Sequence, residues 1–229
     1  MRHICRYLPL FLLLFAMHFA NAQSGFDVNI GFGAIHDGSF GQIDQNTLLP
    51  CNAVGSTGAC TPASSLSGFN MGFGANLMLW KHFGIGGEAV FQPAKQDYVV
   101  LQPTAPGVVG ITLQTRTTFY DFDGIFQPVN EKKVAFQIMG GIGGANVKFY
   151  ENQISNGTVL GNSNSSQFFQ SANHFQVHAG VGVQLYLTDH IFVRPQFDLH
   201  FAPNLNQQFS SNAAFGGTIW LGYSFGDRP

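Results

Sequence analysis

Charge is scarce in this chain: Asp, Glu, Lys and Arg make up 10% of its 229 residues, where a soluble domain averages about 25%. A surface so short of charge points to a fold with much of its exterior facing something other than water. Long hydrophobic runs are missing too. The main apolar run, Leu8 to Ala20, falls short of the roughly 20 residues that a spanning helix needs, and no later stretch approaches that length. This argues against helical membrane anchorage. There is no basic run, and the formal net charge is −2, which argues against nucleic acid as a partner. Cysteine is limited to Cys5, Cys51 and Cys60.

The opening residues set the compartment. Arg2 and Arg6 precede the apolar run, and Ala20-Asn21-Ala22 offers small residues for cleavage, the pattern of a secretory signal peptide over residues 1–22. Cys5 lies within this leader, well before the cleavage point. The mature chain then starts at Gln23 and forms one domain, residues 23–229. Removing Arg2 and Arg6 takes the formal charge from −2 to −4. Cys51 and Cys60 sit close together in a loop rich in Gly, Ser, Thr and Pro, and in an exported protein such a pair is expected as a disulfide ahead of a metal site or free thiols.

What the chain has in abundance is Gly (28) and Phe (24), arranged with period two. Between Phe175 and Leu187, Phe175, Val177, Ala179, Val181, Val183, Leu185 and Leu187 alternate with Gln176, His178, Gly180, Gly182, Gln184 and Tyr186. After Thr188-Asp189-His190 the pattern restarts as Ile191, Val193, Pro195, Phe197, Leu199 and Phe201 against Phe192, Arg194, Gln196, Asp198 and His200. Two strands joined by a tight turn make a hairpin. Similar alternation begins at Phe26, Phe69, Phe83, Thr118, Val134 and Phe215. In the Val134 segment the apolar parity changes between Ile142 and Ala145, which predicts a glycine-permitted β-bulge at Gly140 to Gly144.

Eight strands of about 9 to 13 residues, with short and long connections in strict alternation, fit an all-β, eight-stranded antiparallel up-and-down transmembrane β-barrel. The long connections cover roughly His36 to Ser67, Lys95 to Thr112, Glu151 to Asn173 and Pro203 to Ala213. Aligning the strands by their turns places Phe69, Phe91, Tyr120, Phe149, Phe175, Phe201 and Phe215 at the loop end, and Phe83, Phe126, Tyr223 and Phe225 at the turn end. These are the two aromatic girdles expected at membrane interfaces.

With this architecture and its last strand, the chain resembles the small OmpA-like or OmpX-type outer-membrane β-barrels of Gram-negative bacteria over the whole of residues 23–229. The resemblance implies residence in the bacterial outer membrane as a monomer in contact with its lipid. Tyr223 and Phe225 then match the C-terminal signal read by the outer-membrane assembly machinery, although Gly226-Asp227-Arg228-Pro229 follow where the family usually ends on the aromatic. No peptidoglycan-binding module is expected after the barrel.

The opposite parity carries Asp27, Glu88, Asp121, Asp123, Lys148, Arg194, Asp198, His178 and His200. A barrel of eight strands has an interior just wide enough for side chains to fill, so these groups are expected to pair inside it, Arg194 with Glu88, Asp198 or Asp121. The expected role is structural and surface-interacting, with a filled lumen. A narrow porin-like or OmpW-like passage for small or hydrophobic solutes is the first rival, and an exported lipocalin-like binder, with its apolar face turned inward, the second. Neither a cofactor nor an enzyme activity is expected. Ser155-Asn156-Gly157 is a faint echo of a nucleophile site, with no identifiable base or orienting group, and the glycines lie within strands and not in a phosphate-binding loop.

Overall fold

A computed structural model describes residues 25–37, 42–44, 60–62, 66–101, 109–155, 158–160, 167–209 and 211–226. The leader, Cys51, Asn156 and Gly157 lie outside the described residues, and of Cys60 and Ser155 only the backbone is described. The strands are β1 (Phe26–Asp37), β2 (Gln42–Asp44), β3 (Cys60–Pro62), β4 (Gly68–Met78), β5 (Phe83–Phe91), β6 (Gln96–Leu101), β7 (Val109–Asn130), β8 (Val134–Ser155), β9 (Thr158–Leu160), β10 (Gln167–Tyr186), β11 (Ile191–Phe201) and β12 (Ala213–Phe225). One short helix, α1 (Asn206–Phe209), lies between β11 and β12. Among the described residues no helix is long and apolar enough to cross a membrane, which says nothing of a crossing made by strands.

Eight of the strands close on themselves in the order β1-β4-β5-β7-β8-β10-β11-β12, each pair antiparallel, with β12 returning to β1 through Phe26↔Phe225 to Asp37↔Ala214. Closure gives every barrel strand two partners and removes the open edges that a flat sheet would leave. The remaining strands are additions at the loop end: β6 pairs with the outer part of β7, β9 with the tip of β8, and β2 with β3.

Side chains alternate out and in along each barrel strand, as the pleat requires. The outward set is apolar: Phe73, Phe122, Ile142, Phe175 and Ile219 are each 58–62% exposed. Such exposure would be untenable around a whole soluble domain and is what a wall facing hydrocarbon requires. Phe69, Tyr120, Phe175, Phe201 and Phe215 ring the loop end, with Phe91 half-buried beside them, and Phe83, Phe126, Tyr223 and Phe225 ring the turn end, joined there by Trp80.

Three expectations are corrected. The Gly140 to Gly144 bulge does not form: β8 pairs without interruption through this stretch with β7 and with β10. The register shifts fall elsewhere, at Phe126/Val129 beside Pro128, which has no N–H to give the ladder, and at Phe168/Gln170. Consequently Ala145, Val147 and Phe149 point inward and are buried, so Phe149 is no girdle residue and Lys148, on the opposite parity, points out of the barrel. The physical reason is a change of surroundings rather than of register, because beyond the lipid the outside of the wall meets water and the inside is covered by the protein's own loops. Finally, β7, β8 and β10 run for 22, 22 and 20 residues, so much of what reads as loop is strand standing above the barrel.

Candidate functional site: the barrel interior and its outer cap

The interior is assembled from residues that the register places one above another. Glu88 on β5 lies across from Asp121 on β7, and His178 on β10 across from His200 on β11. Glycine faces these polar groups on neighbouring strands: Gly74 beside Glu88, Gly143 beside Asp121, Gly141 beside Asp123 and Gly180 beside Asp198. A Cβ at Gly141 would lie 2.4 Å from Asp123 Oδ1, and one at Gly180 2.7 Å from Asp198 Oδ1. The glycines therefore make room for the carboxylates, which accounts for their place on the inward parity.

Arg194 is fully buried at the centre of the network. Its Nη2 donates to Glu88 Oε1 at 2.5 Å and its Nη1 to Gln137 Oε1 at 2.9 Å, while the guanidinium lies 5.5 Å from the Trp220 ring centroid. Gln137 Nε2 donates to Gln184 Oε1 at 2.5 Å, and Gln184 Nε2 to Asp27 Oδ2 at 3.1 Å. On the other side of Glu88, Gln196 Nε2 reaches Glu88 Oε2 at 2.8 Å and Asp198 Oδ1 at 2.7 Å. His178 bridges two carboxylates, with Nδ1 at 2.9 Å from Asp123 Oδ1 and Nε2 at 3.2 Å from Asp198 Oδ1. Its ring stacks on His200 at 4.9 Å, and His200 stacks in turn on Phe119 at 4.5 Å. Gln176 Nε2 donates to Asp121 Oδ1.

Of the lumen residues expected from sequence, Glu88, Asp121, Asp123, Arg194, Asp198, His178, His200 and Asp27 come together inside the barrel, and Lys148 does not. The glutamines 137, 176, 184 and 196 carry much of the connectivity and were not singled out as site residues, although they share the inward parity. Asp121, His178 and His200 each offer an atom within 4.8 Å of the others. Both His178 nitrogens are, however, already within reach of Asp123 and Asp198.

Above this polar layer an apolar cap closes the loop end. Leu66, Tyr98, Leu205 and Phe209, from the outer connections, pack on Ile35, Phe119, Ala145, Val147, Phe149 and Ala214 of the wall. Tyr98 is the keystone, edge-on to both Phe149 (5.4 Å) and Phe209 (5.6 Å). Burial holds its phenol protonated, raising its pKa above the ordinary tyrosine range. At the turn end Met78, Ile125 and Met139 form a second apolar cluster.

No protein-family model and no curated protein matches this chain. Solved structures do resemble it. Ail, the attachment invasion locus protein of Yersinia pestis, aligns over 89% of this chain and 99% of its own at 12% identity and a TM-score of 0.47. The N-terminal β-barrel domain of Pseudomonas aeruginosa OprF aligns over 89% and 98% at 11% identity, TM-score 0.46. The outer membrane protein OprG of the same species aligns over 90% and 97% at 14% identity, TM-score 0.46. At these identities and TM-scores the likeness carries no argument about function, and the closed eight-stranded barrel rests on the strand pairing itself.

Proposed function

We propose that this chain is a monomeric outer-membrane barrel protein with a structural and surface-interaction role, its lumen closed by its own side chains and its outer connections held as a platform. The observation that carries this reading is the filling of the bore: a hydrogen-bonded layer centred on Arg194 and Glu88, with an apolar cluster at each end. An ion entering from outside would first have to displace the Tyr98, Leu205 and Phe209 cap and then replace charge-assisted hydrogen bonds inside, both of which oppose conduction. The same cap ties three outer connections, through Leu66, Tyr98 and Phe209, to one core, as a presented surface needs. Within this reading residues 1–22 direct export, Cys51 and Cys60 close a disulfide in the first outer connection, and Tyr223 and Phe225 serve insertion by the assembly machinery. Enzyme activity is not part of it.

Planar-bilayer recording of the refolded protein tests the closed lumen. No reproducible unit current is expected. Discrete, repeatable steps would overturn it in favour of the narrow channel. A mature chain that stays monodisperse in buffer without detergent would sink the membrane reading altogether and favour a soluble, lipocalin-like binder.

A further inference from the structure

The chain has few cations, and their placement is uneven. Apart from the leader's Arg2 and Arg6, Lys81, Lys132 and Lys133 lie at the short turns, Arg194 lies in the lumen and Arg228 near the C-terminus. The remaining three, Lys95, Arg116 and Lys148, converge on one patch of the outer wall. Arg116 and Lys148 are direct cross-strand partners on β7 and β8, both on the outward parity. Lys95 just precedes β6, whose pairing of Gln96 with Thr115 brings it beside Arg116, and its Nζ lies 4.3 Å from the centroid of the Tyr150 ring.

Two like charges directly opposite in a sheet, with Cβ atoms about 5 Å apart, destabilise the pairing unless an anion sits over them. Among the described residues no ion pair joins Arg116 or Lys148 to an acid, whereas the pairs of Arg194, His178 and His200 lie in the lumen. Arg116 is anchored through Nη2 to the Pro93 carbonyl, which fixes its position, and its Nε is buried without a partner.

The rows below and above fix what that acceptor is. Travelling outward along β7, β8 and β10, the outer face presents Tyr120, Gly144 and Phe175 of the aromatic girdle, then Thr118, Asn146 and Asn173, then Arg116, Lys148 and Ser171. Beyond these stand Tyr150 and Phe168, edge-to-face at 6.1 Å, with Gln114 of β7 in the same row turned aside to donate to Asp97 of β6 at 2.8 Å. Four residues of strand are ~13 Å of rise, or roughly 10 Å along the membrane normal after strand tilt. The cations therefore stand one headgroup layer above the girdle. The wall grades from aromatic to amide to cation to aromatic, matching acyl chain, ester and amide linkage, phosphate, and the apolar face of a sugar.

We propose that Arg116 and Lys148 bind the phosphate of a phosphorylated glycolipid headgroup in the outer leaflet, its sugar lying against the exposed ring of Phe168. This rests on the outer-membrane reading above. Arginine provides a planar fork for phosphate oxygens and lysine a compact point charge.

Native mass spectrometry of the full mature chain, refolded in detergent and titrated with diphosphorylated lipid A, tests the proposal. One retained lipid per barrel is expected. Binding should weaken about tenfold or more in R116Q/K148Q, the loss of one charge-assisted contact or more, and similarly for lipid A stripped of phosphate, while K132Q/K133Q at the turn end binds as the native chain does. Equal retention by the native protein and R116Q/K148Q would overturn the site. So would displacement of the lipid by millimolar orthophosphate, which would make it a simple anion site. A protein that refolds into a heat-modifiable barrel yet retains no lipid A sinks this proposal alone, whereas one that never enters detergent as a barrel sinks the membrane reading beneath it.

Discussion

Arg194 is where single-residue chemistry decides most. Its guanidinium has no solvent exposure and holds Glu88, which is buried too, so removing one partner strands the other in a low-dielectric interior. R194A should cost about 3–5 kcal/mol of barrel stability, read by urea unfolding in micelles, while E88Q/R194M, which leaves neither charge, should recover most of that loss. Equal destabilisation of the two variants would mean that packing rather than charge pairing sets the cost. Tyr98 gives the cap a pH dependence. Its phenol is held protonated by burial, whereas in an opened cap it ionises near pH 10. The folded pKa thus lies above the unfolded one, so its contribution is fully present below about pH 10 and is lost as pH rises toward the folded value. Proteinase K, which needs no basic residue and stays active in alkali, should cut the outer connections of the refolded barrel faster at pH 11 than at pH 8, and Y98F should flatten that difference. An unchanged slope in Y98F would remove Tyr98 from its place as the titrating group.

At the level of strands, size complementarity holds the wall together: glycine stands across from the largest inward side chains. Trp220 on β12 lies in one register row with Gly31 on β1 and Gly72 on β4, and a Cβ at either glycine would come within 2.6 Å of its ring. Phe192 on β11 covers Gly222 on β12, where a Cβ would fall 2.1 Å from the ring. G222A should therefore destabilise the barrel by about 1–3 kcal/mol through overpacking, and F192A/G222A should be less harmed than the sum of the two single changes. Strict additivity would refute the contact. This pairing also explains what could be read from the residues alone. Phe175 to Phe201 declares its parity because lipid lies on one side and a polar bore on the other for its whole length. Ala145, Val147 and Phe149 mislead because apolar side chains signal an outward direction only where hydrocarbon is outside; under the Tyr98 and Phe209 cap they signal an inward one. Lys148 was misplaced for the same reason. The inward acids and Arg194 were legible from parity, but their connections were not, because amides such as Gln137 and Gln184 look alike in sequence whether they bridge two strands or face solvent, and only closure of the barrel sets Gln184 against Asp27, 157 residues away.

Across the whole molecule the governing fact is which way the two parities face, since filled lumen, cap and cationic row all follow from it. A lipocalin-like binder could be built from the same alternation with the opposite sense, so the direction must be measured. Phe73, Ile142 and Ile219, 58–59% exposed, lie on three different faces of the wall, whereas Asn29, Gln137 and Gln196 point into the bore. Nitroxides at F73C, I142C and I219C, in a chain with Cys51 and Cys60 replaced by serine and reconstituted in phospholipid vesicles, should collide readily with oxygen, which concentrates in hydrocarbon, and poorly with a water-soluble nickel chelate. Labels on the lysines of the short turns, at K81C and K132C, should show the reverse, because charged side chains there lie beyond the apolar band. Wall labels relaxed more by nickel than by oxygen would turn the barrel inside out and take the lumen and headgroup assignments with it. The same labels give depth: oxygen-to-nickel ratios should peak near Ile142, fall at Tyr120 and vanish at Ser171, which shares a row with Arg116 and Lys148. A peak at Ser171 would bury that cationic row in hydrocarbon, where its charges could not stand.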